Sequence, residues 1–268
     1  MFKKIRYYLQ IFPIAREITN WHEIVLLYLG LISESLLRLR SGAQFKITHF
    51  LDALTIKEII IDGHYPLPRI PRPHWIIDVG ANIGTFSFVA SKAYPQSKVL
   101  AFEPARKTYS LLQKNVQLNG LGHVLTIQQA VSNHNGERQF YSQPASGLSS
   151  LFPARPGSSI EKVRTTTLAS IFKQYDITVC DLLKLDCEGS EYDILMSLPQ
   201  RLLSRIRHAI IEYHDSLSSH RHPELVDFLR SSGFTVKIKP HPLETDIGII
   251  YAKYTSRGTS HRHNSGQK

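Results

Sequence analysis

Four acidic residues, Asp78, Glu103, Asp186 and Glu212, each stand where an apolar run ends. Asp78 closes Trp75-Ile76-Ile77 and opens Asp78-Val79-Gly80-Ala81-Asn82-Ile83-Gly84, after which Thr85-Phe86-Ser87-Phe88-Val89-Ala90 reads as a helix. A strand, a glycine-bracketed turn and a helix make a ligand corner at the carboxyl edge of a parallel sheet. Gly80 and Gly84 would give the backbone its tight turn and its close approach to a ligand. Their spacing is Gly-x-x-x-Gly, not the Gly-x-Gly-x-x-Gly of dinucleotide sites. Asp78 would also repel a phosphate, so the corner suits a ligand with a cationic group.

Glu103 ends the run Lys98-Val99-Leu100-Ala101-Phe102. There it can accept two hydrogen bonds from ribose hydroxyls, or simply favour the start of the next helix; its pairing with the glycine corner points to ribose. The stretch Leu183-Lys184-Leu185-Asp186-Cys187-Glu188-Gly189-Ser190-Glu191 crowds carboxylates at another strand end, where they point into a ligand crevice. Glu191 and Asp193 suit the first turn of a helix capped by Ser190. Asp186 and Glu188 precede that helix and read as functional. Lys184 is either a snorkelling side chain or a partner for a carboxylate. The run Ala209-Ile210-Ile211 ends in Glu212-Tyr213-His214. His214 is a candidate general base or a solvated turn residue, and His220 and His222 read as surface residues.

The elements that position these residues alternate. Apolar runs suited to buried parallel strands lie at 75–79, 98–102, 124–129, 179–185, 208–212, 234–238 and 247–252. Helical patterns lie between them, at 104–119, from 190 to about 198 and at 222–232. This alternation predicts an α/β fold with a doubly wound, mostly parallel sheet. The segment 132–165 breaks the rhythm: 137–141 fits an edge strand, and 142–160, rich in Ser, Pro and Gly, reads as a loop over the site. Upstream, apolar positions predict a helix over 20–40, capped by Asn20, and another over 51–61. Pro66, Pro68, Pro71 and Pro73 then make a stiff linker. The expected organisation is a helical extension over 1–73, a cofactor domain over 74–253 and a disordered polar tail over 254–268.

Composition narrows the function classes. Hydrophobic residues make up 42% and charged residues 20% of the 268 positions, which is ordinary for a globular protein. The formal charge of +10 divides into +4 over 1–73, +3 over 74–253 and +3 over 254–268. A near-neutral cofactor domain disfavours nucleic acid as the partner, because such enzymes carry basic stripes around the cleft. Basic ends also suit peripheral contact with an anionic membrane. The longest apolar stretch, Ile24–Ile32, has nine residues, too few for a transmembrane helix, and the N-terminus makes a poor signal peptide. Cys180 and Cys187 sit on or beside one strand, so no disulfide is expected and the compartment reads as reducing and cytoplasmic. No spacing demands a metal, although Asp186, Glu188 and Glu212 offer oxygens suited to Mg²⁺. The oligomeric state is left open.

The combination Asp78-Val79-Gly80-Ala81-Asn82-Ile83-Gly84, Phe102-Glu103-Pro104, Lys184-Leu185-Asp186-Cys187-Glu188-Gly189-Ser190-Glu191 and Ile211-Glu212 resembles the FkbM-family methyltransferases, over about 74–253. The segments Ser146-Gly-Leu-Ser-Ser-Leu151 and Val163-Arg-Thr-Thr-Thr-Leu168 are similar to that family's serine-containing loop and the strand after it. Cys187 departs from the pattern, since an aliphatic residue is common there. The resemblance implies a class I (Rossmann-like) methyltransferase fold and S-adenosyl-L-methionine as cofactor. It implies that Asp78, Gly80, Asn82 and Gly84 hold the methionine part and Glu103 the ribose. Asn119 and the Gln129-Ala130-Val131 turn would border the adenine. The expected reaction is O-methylation of a sugar, glycan or natural-product hydroxyl, with Asp186, Glu188 or His214 as base. The rival readings are a nucleic-acid methyltransferase and a catalytically silent scaffold of the same fold.

Overall fold

The computed structural model describes residues 11–142, 159–242 and 244–255. It begins with α1 (Ile11–Glu17) and α2 (His22–Tyr28), followed by a hairpin of β1 (Ser35–Arg38) and β2 (Gln44–Ile47). The single helix expected over 20–40 is therefore wrong in its second half. Gly30 adopts φ +70° and stops the helix. Beyond it, burial alternates along β1 with a period of two, which a helical count of leucines had hidden. Asn20 does not cap with its side chain; its amide donates to the Leu36 carbonyl and accepts from the Arg38 amide, tying α2 to the hairpin. The expected 51–61 helix is α3 (Phe50–Ile56) continued by one π-helical turn (Lys57–Ile61).

All seven apolar runs become strands of one sheet: β3 (Trp75–Val79), β4 (Lys98–Phe102), β5 (Val124–Ile127), β9 (Cys180–Leu185), β10 (Ile206–His214), β11 (Phe234–Pro240) and β12 (Ile247–Tyr254). Their order is β11-β12-β10-β9-β3-β4-β5, parallel except for β12. Helices α4 (Thr85–Ala93) and α5 (Arg106–Leu118) cover one face. The other face carries α6 (Leu168–Gln174), α7 (Glu191–Met196), α8 (Gln200–Leu203) and α9 (His222–Ser231). The segment 132–165 is less of a loop than expected. It contains β7 (Gly136–Ser142) and the start of β8 (Ser159–Thr166), which form a separate three-stranded sheet with β6 (Ala130–Val131). The serine-containing loop and most of the polar tail lie outside the described residues. Among the described residues, no helix is long and apolar enough to cross a membrane.

The two faces have separate cores. Ile77, Val79, Leu183, Leu185, Ile211 and Tyr213 belong to one cluster, and Ile76, Leu182 and Ile210 to the other. Ile18, Leu37, Phe45, Ile47 and Ile56 of the N-terminal part join the second cluster and are fully buried; burial of each contributes about 1.5–3 kcal/mol. Strand alternation then puts Asp78, Lys184 and Glu212, two residues beyond Ile76, Leu182 and Ile210, on the face that the N-terminal part covers.

Candidate active site

A crevice opens at the carboxyl edge of β3, β4 and β9. Gly80, Asn82, Glu103, Ala130, Asp186 and Glu188 line it. At the corner, the Gly80 and Ala81 amides donate to the Phe102 carbonyl. Gly80 has φ +73°, and a Cβ there would sit 1.7 Å from the Asp186 carbonyl oxygen. The glycine is thus required by the approach of the β9 end. Gly84 does not line the crevice; it starts α4 with φ +94° and leaves no room for a Cβ beside Leu112. Asn82 is left-handed, φ +51°, a strained conformation that concentrates at functional sites. Its amide donates to one Glu103 oxygen at 3.0 Å, and the Ala105 amide donates to the other at 2.9 Å. Burial pushes the Glu103 carboxyl up to about 7, although these two bonds favour its ionised form. Among the described residues, Asn82 Oδ1 is buried without a hydrogen-bond donor.

Below the corner lies an ion triad. Lys184 Nζ stands 3.4 Å from Asp78 Oδ1 and 3.3 Å from Asp186 Oδ2, and donates to the Gly80 carbonyl at 2.8 Å. Asp78 also accepts from Ser87 Oγ at 2.6 Å and is fully buried. The cation that Asp78 meets among the described residues is Lys184. Burial favours neutral lysine, but Asp186 and Asp78 outweigh it and raise the Lys184 pKa. Burial likewise opposes ionisation of Asp186, and Lys184 overrides it to hold that carboxyl below its ordinary value. Of the two readings of Lys184, the carboxylate partner is the correct one.

Sequence reasoning missed Tyr65. This residue follows the π-helical turn, and its hydroxyl stands within hydrogen-bond reach of Asp186 Oδ2, at 3.1 Å, and of Glu212, with one proton to donate between them. Its ring meets Phe86 edge-on and lies 5.7 Å from Lys184 Nζ. No local pattern among the surrounding prolines marks it.

His214 does not line the crevice. It is buried, with Nδ1 3.3 Å from Glu191 and Nε2 3.8 Å from Glu212. Burial favours the neutral ring, but the Glu191 hydrogen bond and the nearby Glu191 and Glu188 carboxylates push it up to about 10. An imidazolium has no lone pair to offer a hydroxyl proton. Glu191 also accepts from the Cys187 and Gly189 amides at 2.8 and 2.9 Å. These bonds pin the turn before α7 and do not cap that helix; the Ser190 side chain, expected to do so, makes no cap bond. The turn so pinned holds Glu188 at φ +51°. Burial pushes the Glu188 carboxyl up to about 7, opposed by His214. Asp186, Glu191 and His214 bring one donor atom each within 4.8 Å of one another; His214 faces Glu191 there, and Lys184 is shared between Asp186 and Asp78.

Asn119 falls outside the crevice. Its side chain accepts from the Gln44 amide at 3.0 Å and donates to the Gln44 carbonyl at 2.6 Å, clamping the hairpin to the end of α5. Both ends of the amide are spent on the β2 backbone, and nothing in this arrangement supports the adenine role implied for it. Cys180 and Cys187 are free thiols, as expected.

The strand order, the antiparallel β12 and the acid–glycine corner define the class I methyltransferase fold. A model of the methyltransferase FkbM domain matches residues 78–236, and the chain belongs to the FkbM methyltransferase family. It is 30% identical to 31-O-demethyl-FK506 methyltransferase FkbM of Streptomyces tacrolimicus over 256 residues, 82% of this chain and 97% of that protein. It is 28% identical to methyltransferase sdnD of Sordaria araneosa over 211 residues, covering 67% and 81%. The crystal structure of methyltransferase FkbM from Methylobacillus flagellatus KT superposes with a TM-score of 0.52 at 14% identity. That match covers 74% of this chain, which spans about half of the solved one, 47%; it speaks to the fold alone.

Proposed function

We propose that the chain transfers a methyl group from S-adenosyl-L-methionine to a hydroxyl of a small-molecule or glycan acceptor, with Glu188 as general base. The observation that carries this reading is the pairing of two carboxyls across one crevice. Glu103 is held by two backbone amides on the β4 side, and Glu188, near 7, stands on the β9 side. Glu103 would hold the ribose, and the unpartnered Asn82 Oδ1 would accept from the cofactor's amino group. Ala130 would border the base. The crevice encloses about 60 Å³; ligand pockets start at about 300 Å³, so binding must widen it. Bound there, the sulfonium supplies an already activated methyl group. The chain's own part is alignment, worth up to about 7–11 kcal/mol, and removal of the hydroxyl proton. A base serves best with a pKa near the working pH. Glu188 meets that condition, His214 holds its proton too tightly, and Asp186 is held ionised by Lys184. The Streptomyces tacrolimicus relative is named for a 31-O-demethyl compound, which supports oxygen as the acceptor atom.

The test uses purified protein, isotope-labelled cofactor and a fractionated native extract, with products read by mass spectrometry. Glu188→Gln should lower the single-turnover rate about 10²–10⁴-fold and leave S-adenosylhomocysteine affinity unchanged. Only ionised Glu188 accepts a proton, so the wild-type rate should rise as pH passes about 7, and the variant should lose that rise. A near-wild-type rate in the variant would remove Glu188 from this role.

A further inference from the structure

The sheet face that carries Asp78, Lys184 and Glu212 continues across β10, β12 and β11. The strand register sets out three rows there: Glu212–Ile249–Lys239, Ile210–Tyr251–Lys237 and His208–Lys253–Thr235. Cross-strand partners and alternate residues share a face, so all of these side chains project to one side. The first and third rows stand about 13 Å apart, four residues along a strand. A cavity of about 200 Å³ lies over the first row, between Glu212, Lys239, Glu58 and His64. A groove of about 390 Å³ follows over the other two, walled on its far side by Pro66, Pro68 and Arg69. Tyr251 lines the groove, and its hydroxyl reaches the carbonyl of His64, which lines the cavity, at 3.5 Å. His64 in turn stands 3.7 Å from Glu212, and the next residue, Tyr65, reaches both Glu212 and Asp186. The groove therefore runs up to the network that borders the crevice.

The charge of the groove is one-sided. Arg69, Lys237 and Lys253 line it, and no carboxylate does. None of the three makes an ion pair with another described residue; the neighbouring Arg207, by contrast, is paired with Asp181 at 2.9 Å. Lysines on an edge strand such as β11 also guard against pairing with another chain. That accounts for Lys237 and Lys239, but not for Lys253 on an inner strand or Arg69 in the linker. Three unpaired cations suit a group with two or more negative charges, since a carboxylate would neutralise only one of them. The proline wall keeps the groove pre-formed.

We propose that this groove binds the anionic part of the methyl acceptor, a phosphate or pyrophosphate ester whose hydroxyl-bearing end points past Glu212 toward the crevice. The proposal rests on the methyltransferase reading and narrows its acceptor class. The probe is inorganic pyrophosphate, titrated calorimetrically into the full chain with and without S-adenosylhomocysteine. Wild-type protein should bind it in a salt-sensitive manner. A Lys237→Glu/Lys253→Glu double variant should bind it about tenfold more weakly or worse, at unchanged S-adenosylhomocysteine affinity. Glutamate keeps β11 charged, so the loss reports anion recognition and not a newly sticky edge. Arg69→Ala, an exposed single change, should weaken binding in the same direction. The proposal is overturned if wild-type protein ignores pyrophosphate or if the double variant binds it equally. It is also overturned if a single-stranded RNA oligonucleotide, and not pyrophosphate, loses affinity in the double variant; the groove would then be a nucleic-acid surface. Failure of S-adenosylhomocysteine to bind would sink the methyltransferase reading instead, and the pyrophosphate titration would still report on the groove.

Discussion

The two sides of the crevice are built differently. On the β3–β4 side, the glycine corner and Glu103 come from about one turn of chain each and are locked by backbone amides. On the β9–β10 side, the site is a web of side chains from distant parts of the chain. Tyr65 meets Asp186 and Glu212 across 121 and 147 positions, and Lys184 meets its register partner Asp78 on the neighbouring strand β3. The β3–β4 side is thus fixed by backbone geometry, whereas the β9–β10 side depends on side-chain charges that face one another.

That contrast can be broken most forcefully at Lys184. Lys184→Met strands the buried Asp78 carboxylate and the half-buried Asp186, and losing one partner of a buried ion pair costs about 3–5 kcal/mol. Urea unfolding at neutral pH should show a loss of that size. The folded-state pKa of Asp186 lies below its ordinary value, so its contribution is present above the unfolded pKa and fades as pH falls through the folded one. The gap between wild type and variant should therefore shrink in acid; a gap that stays constant would mean that Lys184 acts through packing alone.

Glu103→Gln is the next largest effect and sharpens the cofactor side. A hydrogen bond to a charged group is worth about 1.5–3 kcal/mol, so S-adenosylhomocysteine should bind roughly tenfold to a hundredfold more weakly, with stability little changed. Because the Glu103 carboxyl is near 7 before binding and the ribose hydroxyls donate to its ionised form, wild-type affinity should climb from pH 6 to 8, and the variant should not follow. Unchanged calorimetric affinity would return Glu103 to a merely structural place.

Tyr65→Phe removes one hydroxyl from the web and should cost about 1–3 kcal/mol through the acceptors it leaves unpaired. It should slow single-turnover transfer more than it weakens S-adenosylhomocysteine binding; the reverse pattern would put Tyr65 on the cofactor side. Asn119→Ala should be the mildest. It should lower stability by about 1 kcal/mol through the lost clamp on Gln44, with no effect on cofactor affinity. A loss of cofactor affinity would support the adenine role.

The errors in reading the sequence share a cause. The helix expected over 20–40 failed because leucines at helical spacing also satisfy an alternating strand once Gly30 ends the helix. The Asn119 side chain is claimed by the hairpin, His214 has the Glu191 carboxylate folded against it, and Asp78 meets Lys184 on a strand more than a hundred residues away, none of which a local pattern could show.

By itself, the sequence determined the seven-strand alternation, the acid–glycine corner and the placing of Glu103, Asp186 and Glu188 at strand ends. These follow from periodicity and from steric rules that act over a few neighbouring residues. Only the tertiary structure decided which carboxyls and which histidine are pushed from their ordinary values, and that Tyr65 reaches Asp186 and Glu212. Charge and desolvation act through space between residues far apart in the chain, and no spacing along the sequence records those distances.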